Sequence, residues 1–139
     1  KAVFKALPET EILIMCAAVA DYQPEERGKK KYHETELALK LKRTTDILKE
    51  VTLRKGERLV VGFSLDDSLT RAKAKLLEKK LDLVVANPTD TAGARRIKPT
   101  LIFSSGKIEH LPEQDKADFA LKLVRIIADL YQRRVADGD

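Results

Sequence analysis

The chain has 139 residues, of which 43% are hydrophobic and 35% are charged, and its formal net charge is +5. This composition is typical of one folded domain with a hydrophobic core, and it excludes a disordered tail. No apolar run approaches the roughly 18 residues of a membrane-spanning helix. Because a single cysteine cannot form an internal disulfide and no signal peptide is recognisable, we expect a cytoplasmic protein without a membrane partner.

Hydrophobic patterning predicts strands that alternate with helices. In chain order we expect the end of a helix over 1–8, a buried strand over 12–20, a polar loop over 23–35, a half-solvated strand over 36–42 and a helix over 46–55. There follow a buried strand over 59–63, a helix over 67–80, a buried strand over 81–87, a loop over 88–99, a hairpin of 101–103 with 107–111, and a last helix over 114–134. This alternation predicts a parallel α/β sheet.

The glycines limit the kinds of nucleotide site that are possible. No two of the six glycines are closer than six positions, so the chain contains neither a GxGxxG turn nor a P-loop. If the protein handles a nucleotide, the glycine-rich cradle is absent or lies on a missing segment.

Small residues followed by a carboxylate mark the end of the first predicted strand. The segment 16–22 reads Cys-Ala-Ala-Val-Ala-Asp-Tyr. Open α/β sheets bind ligands at the carboxyl ends of their strands, and small side chains let a ligand approach the backbone. Asp21 could accept hydrogen bonds from ligand hydroxyls or hold a metal. Alternatively, Asp21 opens an ordinary turn, the alanines pack against a helix and Cys16 is a small core residue.

The positive charge is concentrated in one segment. Residues 27–43 contain seven basic and two acidic side chains, which accounts for the whole net charge. A flexible lysine loop beside a strand end can fold over phosphates, although a solvated basic loop would give the same pattern. The basic segment has few aromatic side chains on which bases could stack, so we expect no nucleic-acid partner. A basic RNA-binding domain is kept as a third interpretation.

Two lysines share a face of the helix predicted over 67–80. Lys75 and Lys79 are four positions apart and therefore repel each other, and an anion between them would offset that repulsion. Solvated lysines would show the same spacing. Phe63, after Gly62 at the end of a predicted strand, could stack on a base or belong to the core. No metal-ligand spacing is recognisable, so the ligands of any metal stay unknown.

Taken together, these segments resemble the phosphopantothenate–cysteine ligase (phosphopantothenoylcysteine synthetase) family, the synthetase part of the bifunctional coenzyme A biosynthesis flavoprotein. The matching segments, in order, are AAVADY at 17–22, the lysine loop at 29–31, the alternating strand at 37–41, DIL at 46–48, VGF at 61–63, the pattern A-x-x-K-L-x-x-K-x-x-D at 72–82, VAN at 85–87, and Lys116 with Ala120. The resemblance covers residues 1 to about 130.

The resemblance implies a fold and a reaction. It implies a Rossmann-like, three-layer parallel sheet with a protruding antiparallel β-arm, and a flap and arm over about 23–44. Bacterial members activate 4′-phosphopantothenate with CTP, assisted by Mg²⁺, to an acyl-cytidylate that the amine of L-cysteine converts to the amide. Lys29 would be the catalytic lysine of the flap. Nucleotide-binding positions would be Cys16, Ala17, Asp21, Lys29, Thr45, Asp46, Ile47, Leu48, Phe63, Lys75 and Lys79.

The resemblance also implies partners, and the sequence departs from the family at three places. We expect a homodimer formed through the arms, the N-terminal half of the ligase, and a flavin-dependent decarboxylase fused upstream. The family's NPDIL is TTDIL at 44–48, its GFAAET is GFSLDD at 62–67, and its phenylalanine and asparagine after VAN are not recognisable in 91–98. Because the family's first half, which carries its glycine-rich phosphate loop, is missing, we expect residues 1–139 to be the C-terminal part of a ligase-like domain. The alternative is a non-catalytic nucleotide-binding or dimerisation fragment.

Overall fold

The computed structural model describes residues 1–25, 33 and 35–138 of the chain. Its helices are α1 (Ala2–Ala6), α2 (Ile47–Leu53), α3 (Leu69–Glu78) and α4 (Lys116–Gly138), with 3-10 turns at Leu7–Glu9 and Thr89–Thr91. Its strands are β1 (Ile12–Met15), β2 (Tyr22–Pro24), β3 (Leu41–Arg43), β4 (Leu59–Leu65), β5 (Leu83–Asn87), β6 (Arg96–Ile97), β7 (Thr100–Phe103), β8 (Ile108–His110) and β9 (Gln114–Asp115).

The main sheet has five strands in the order β1-β4-β5-β7-β8. Strands β1, β4 and β5 run parallel, with Ile12 opposite Leu59 and Val61 opposite Leu83. Strand β7 pairs antiparallel with β5, and β8 closes the sheet as the second arm of a hairpin. The parallel strands end at the same edge of the sheet, and this edge carries the candidate site.

Helices cover both faces of the sheet, which gives three layers. On one face, Phe119, Leu123 and Ile127 of α4 pack against strand residues of β4, β5 and β7. On the opposite face, α1, α2 and α3 contribute a second cluster that includes Leu48 and Leu76. Strands β4 and β5 are buried on both faces, which explains their continuous apolar sequences. The predicted Rossmann-like, three-layer α/β fold is confirmed.

Two separate pairs of short strands accompany the main sheet. Strands β2 and β3 form an antiparallel pair, with Tyr22 opposite Arg43, at the base of the predicted arm. Strands β6 and β9 form the other pair, with Arg96 opposite Asp115. The sequence missed β2, β6 and β9, because strands of two or three residues show too little patterning. The middle of the predicted flap, 26–32 and residue 34, lies outside the described residues.

Two predicted strands are longer than the structure shows. The strand predicted over 12–20 ends at Met15, where the pairing of β1 with β4 also ends. Cys16 is consequently exposed and is not a core residue. The strand predicted over 36–42 is present only as β3, and its leucines at 37, 39 and 41 are about half exposed. Their alternation predicted one buried face, but within the described residues no core covers that face.

Candidate functional site

A cavity of about 510 Å³ lies at the carboxyl ends of β1 and β4. The loop 16–21 forms one wall, the start of α2 with the preceding residues forms a second, and α3 contributes two lysines. Among the described residues, four basic side chains line it against two carboxylates, which favours an anionic ligand. These charged groups are Arg43, Lys49, Lys75, Lys79, Asp21 and Asp46.

The structure brings most of the predicted site residues together in this cavity. All ten predicted positions within the described residues line it: Cys16, Ala17, Asp21, Thr45, Asp46, Ile47, Leu48, Phe63, Lys75 and Lys79. Lys29 lies outside the described residues. Phe63 and Leu48 also pack against the two hydrophobic cores, so both the core and the site interpretation apply to them.

Asp46 connects α2 to α3 across the cavity. Its Oδ1 accepts a hydrogen bond of 3.1 Å from the amide of Lys49, which caps the start of α2. Its Oδ2 lies 2.8 Å from Nζ of Lys79. Partial burial alone would raise the pKa of Asp46, but the hydrogen bonds from Lys79 and Lys49 and the charge of Lys79 outweigh it and lower the pKa. The carboxylate therefore stays ionised and neutralises Lys79.

Lys75 is partly buried at the end of β4. Its ammonium group donates a hydrogen bond to the carbonyl oxygen of Phe63, at the end of β4. Burial lowers the pKa of Lys75, and the positive charge of Lys79 lowers it further, while Asp46 and Asp21 act in the opposite direction. The repulsion expected from the spacing of the two lysines is thus present, and carboxylates of the chain itself offset part of it.

Thr44 fastens the loop 16–21. Its amide donates a hydrogen bond of 2.8 Å to the carbonyl oxygen of Asp21, which extends the pairing of β2 with β3. Its hydroxyl donates a second, of 2.5 Å, to the carbonyl oxygen of Ala20. Within the loop, the amide of Val19 donates to the carbonyl oxygen of Ala17 at 3.1 Å. Thr44 therefore fixes the end of the loop at Ala20 and Asp21.

The sequence did not single out several residues that line the cavity. Arg43, Thr44 and Lys49 flank the DIL segment, and Leu65 ends β4. Arg43 was counted within the basic segment but given no role. The sequence allowed Thr44 or Thr45 as the cap of the helix predicted over 46–55, but Asp46 is the cap in the structure. No local pattern marked Arg43, Lys49 or Leu65, because the cavity joins segments that are distant along the chain.

A second cavity, of about 620 Å³, lies elsewhere and fits an anion poorly. It is bordered by Glu9, Glu11 and Glu57, and its arginines already have partners. Arg58 donates to the carbonyl oxygen of Leu7, and Arg134 to those of Glu57 and Arg58. The candidate site is therefore the cavity at the carboxyl ends of the strands.

The described residues offer little for a metal held by the protein alone. Among them, no group of three or more His, Cys, Asp or Glu side chains is placed to hold a metal ion. The cavity contains two carboxylates, and one of them, Asp46, is paired with Lys79. This set does not fit a dedicated Mg²⁺ cage.

No helix of the described part has the length and apolar character needed to cross a membrane.

The fold and site define a Rossmann-like α/β protein with an anion-accepting cavity where its parallel strands end. Comparison with known proteins makes this more specific. The family model described as DNA/pantothenate metabolism flavoprotein C-terminal domain matches residues 1–131, and the chain belongs to this family. The predicted family relationship is thereby confirmed.

Individual relatives agree with this assignment. The chain is 36% identical to the coenzyme A biosynthesis bifunctional protein CoaBC of Bacillus subtilis (strain 168), over 96% of this chain and 35% of that protein. A crystal structure of the C-terminal domain of a CoaBC protein superposes with a TM-score of 0.78 at 27% identity, covering 95% of this chain and 60% of that one. A mutant of Cab2 in complex with phosphopantothenate-cysteine shares the fold, with a TM-score of 0.72 at 14% identity, over 99% of this chain and 50% of the other. The chain thus spans about a third of the length of the curated relative.

Proposed function

We propose that the chain forms the nucleotide-binding part of a ligase that joins 4′-phosphopantothenate to L-cysteine with CTP, in coenzyme A biosynthesis. In the proposed reaction the substrate carboxylate attacks the α-phosphorus of CTP, and pyrophosphate leaves. The amine of cysteine then attacks the acyl carbon of the acyl-cytidylate, and CMP leaves as the amide forms. Family membership supports this proposal, as does the likeness to CoaBC proteins.

One structural observation carries the proposal. All the predicted nucleotide-binding positions within the described residues line a single cavity, although they come from four separate stretches of sequence. Two of them, Lys75 and Lys79, present ammonium groups from one helix face at the end of a parallel strand. A cavity with excess positive charge at this place is what a nucleoside triphosphate requires.

The two lysines would bind the triphosphate. Lys79 is now neutralised by Asp46, and a phosphate would compete with that carboxylate for the same ammonium group. Lys75 carries the cost of burial in its charged form, and a neighbouring phosphate would stabilise that form and raise its pKa. Both lysines therefore have more to gain from an anion in the cavity than a fully solvated lysine would.

The remaining walls would contact the nucleoside and the reacting groups. Cys16 and Ala17 leave their backbone accessible, and Asp21 brings a carboxylate to the same wall. Thr45, Asp46, Ile47, Leu48 and Phe63 form the opposite side. Lys29, on the flap, would neutralise charge at the reacting phosphorus and acyl centre. Mg²⁺ would arrive with the triphosphate, because the described carboxylates do not form a site for it, and we assign it no step.

The other parts of the enzyme would come from further polypeptide and from a second copy. We propose that the N-terminal half of the ligase completes the catalytic unit and that a decarboxylase is fused upstream, as the word bifunctional in the CoaBC name suggests. The leucines at 37, 39 and 41 are about half exposed and would pair across a two-fold axis in a homodimer. The proposed site of action is the cytoplasm.

Calorimetry with CTP, combined with an assay for ligase product, tests the proposal. We expect CTP to bind the chain, and substitution of Lys75→Gln or Lys79→Gln to weaken binding at least tenfold. Lys73→Gln is the matched control, because Lys73 is exposed on the same helix and does not line the cavity. CTP binding without product, even when the full-length protein is assayed, would favour the non-catalytic fragment. Equal effects of all three substitutions would contradict the assigned site.

A further inference from the structure

Thr44 occupies a special position between the nucleotide cavity and the base of the arm. Its hydroxyl and amide groups donate to two successive carbonyl oxygens, those of Ala20 and Asp21, at 2.5 and 2.8 Å. The carbonyl groups of two neighbouring peptide units are thereby held. At the other end of the loop, Met15 is paired with Gly62 in the main sheet. The loop 16–21 is therefore anchored at one end by β1 and at the other by Thr44.

The position of this loop decides where Asp21 lies. Asp21 lines the same cavity as Lys75 and Lys79, and its charge acts on Lys75. Cys16 and Ala17 line the cavity from the same loop. If the loop moved outward, the cavity would lose one wall together with the carboxylate that faces the lysines.

We propose that Thr44 is a positioning residue of the nucleotide site, which holds the loop 16–21 in its binding conformation through the hydrogen bond from its hydroxyl to Ala20. This inference rests on the proposed function for its ligand, CTP, although the hydrogen bond itself does not depend on it. The family pattern that this chain resembles has asparagine at this position. The backbone amide of Thr44 contributes the second bond whatever the side chain is.

Three variants isolate the hydroxyl group. Thr44→Val removes the donor and keeps the β-branched shape, while Thr44→Ser keeps a donor and removes a methyl group. Thr10→Val is the matched control, because the Thr10 hydroxyl also donates to a backbone carbonyl oxygen, that of Ala6 at 2.7 Å, but borders the other cavity. The three variants thus separate the loss of a hydroxyl at this place from the loss of a hydroxyl in general.

Three measurements test the proposal: calorimetry and hydrogen exchange on the chain, and the ligase assay on the full-length protein. By calorimetry, Thr44→Val should weaken CTP binding about 3- to 10-fold, Thr44→Ser should return to within about twofold of the parent, and Thr10→Val should match the parent. In hydrogen exchange without nucleotide, the amides of 17–21 should exchange faster in Thr44→Val alone, while the amides of α2 stay unchanged. In the ligase assay, KM for CTP should rise and kcat should change little.

The outcomes distinguish failure of this inference from failure of the proposed function. Parent-like CTP binding in Thr44→Val, when Lys75→Gln has lost binding, would overturn the role of Thr44 and leave the function standing. Equal losses in Thr44→Val and Thr44→Ser would also overturn it. If the parent chain binds no CTP, the proposed function fails, and hydrogen exchange decides the positioning role: faster exchange at 17–21 supports it, and unchanged exchange refutes it.

Discussion

Asp82 is a buried carboxylate whose removal should destabilise the fold without affecting the cavity. Its side chain is 7% exposed and lies 2.8 Å from Nζ of Lys55. It accepts a hydrogen bond of 2.7 Å from the amide of Val60 and a further one from Arg134. The carboxylate therefore joins the start of β5 to β4, to the segment before β4 and to the end of α4. Asp82→Asn keeps the shape and an acceptor for Val60 but removes the charge.

The expected cost follows from the exposure of the partners. Removing one member of a buried ion pair costs about 3–5 kcal/mol when the remaining charge stays buried. The side chains of Lys55 and Arg134 are 20% and 30% exposed, so both can recover some hydration. We therefore expect Asp82→Asn to lower the free energy of unfolding by about 2–3 kcal/mol. Asp82→Ala should lower it by about 1–3 kcal/mol more, because the buried amide of Val60 then has no acceptor.

Urea denaturation followed by circular dichroism measures these differences. The transition midpoint should fall while the slope with urea concentration stays constant. Glu109→Gln is the control, since it removes an exposed ion pair with Lys107 and should cost less than about 0.5 kcal/mol. CTP binding should be unchanged in Asp82→Asn, because neither Asp82 nor its partners Lys55, Val60 and Arg134 line the cavity. A cost as small as that of Glu109→Gln, or weakened CTP binding in folded protein, would refute the reasoning.

Four further predictions concern packing, charge, pH dependence and assembly. A Cβ atom at Gly62 would lie 2.8 Å from Cδ1 of buried Leu81, so Gly62→Ala should lower the free energy of unfolding by about 1–2 kcal/mol. Leu81→Ala should cost less in the Gly62→Ala background than in the parent. Additive costs of the two substitutions in urea denaturation would contradict this. Lys79→Met should raise the pKa of Lys75, measured by carbon-13 NMR, because burial still lowers it but the neighbouring positive charge is gone; an unchanged pKa would contradict this. In the parent, the free energy of unfolding should rise with pH between the folded pKa of Lys75 and its ordinary 10.5, because the unfolded chain there binds the proton more tightly. Leu39→Glu should convert the proposed homodimer to monomer in light scattering, and a parent that is monomeric at high concentration would refute the arm interface.

The parts of the fold that could be predicted are those where burial and patterning agree. Strands β4 and β5 are apolar on both faces and almost fully buried, and their sequences predicted them to within two or three residues at each end. Helix α3 was predicted because Ala72 and Leu76, which it buries, recur at helical spacing. In such elements the local pattern and the tertiary environment select the same structure.

The failures occur where small or exposed apolar residues imitate a buried strand. The alanines after Met15 extended the first strand in the prediction, but in the structure pairing with β4 stops there. Leu37 and Leu39 alternate as a strand would, yet their environment is not a core of the described chain. Pairings such as that of Arg96 with Asp115 join residues nearly twenty positions apart and leave no local signal. The extent of a strand depends on its neighbours as much as on its own sequence.

The candidate site shows the same division between local and distant information. The spacing of Lys75 and Lys79 predicted a pair of like charges on one helix face, and that pair is present. Nothing in the sequence identified the group that offsets their repulsion, because Asp46 lies on another helix, 2.8 Å from Lys79 in space but distant along the chain. Asp46 does two things at once, since it also caps α2. In the proposed function, a phosphate would take Lys79 from Asp46 without unwinding α2, because Oδ1 would keep its hydrogen bond to the amide of Lys49 while Oδ2 is released. If the proposed nucleotide binds there, the site would exchange an internal anion for an external one while the cap of α2 stays in place, so that binding and release would not require the helix to refold.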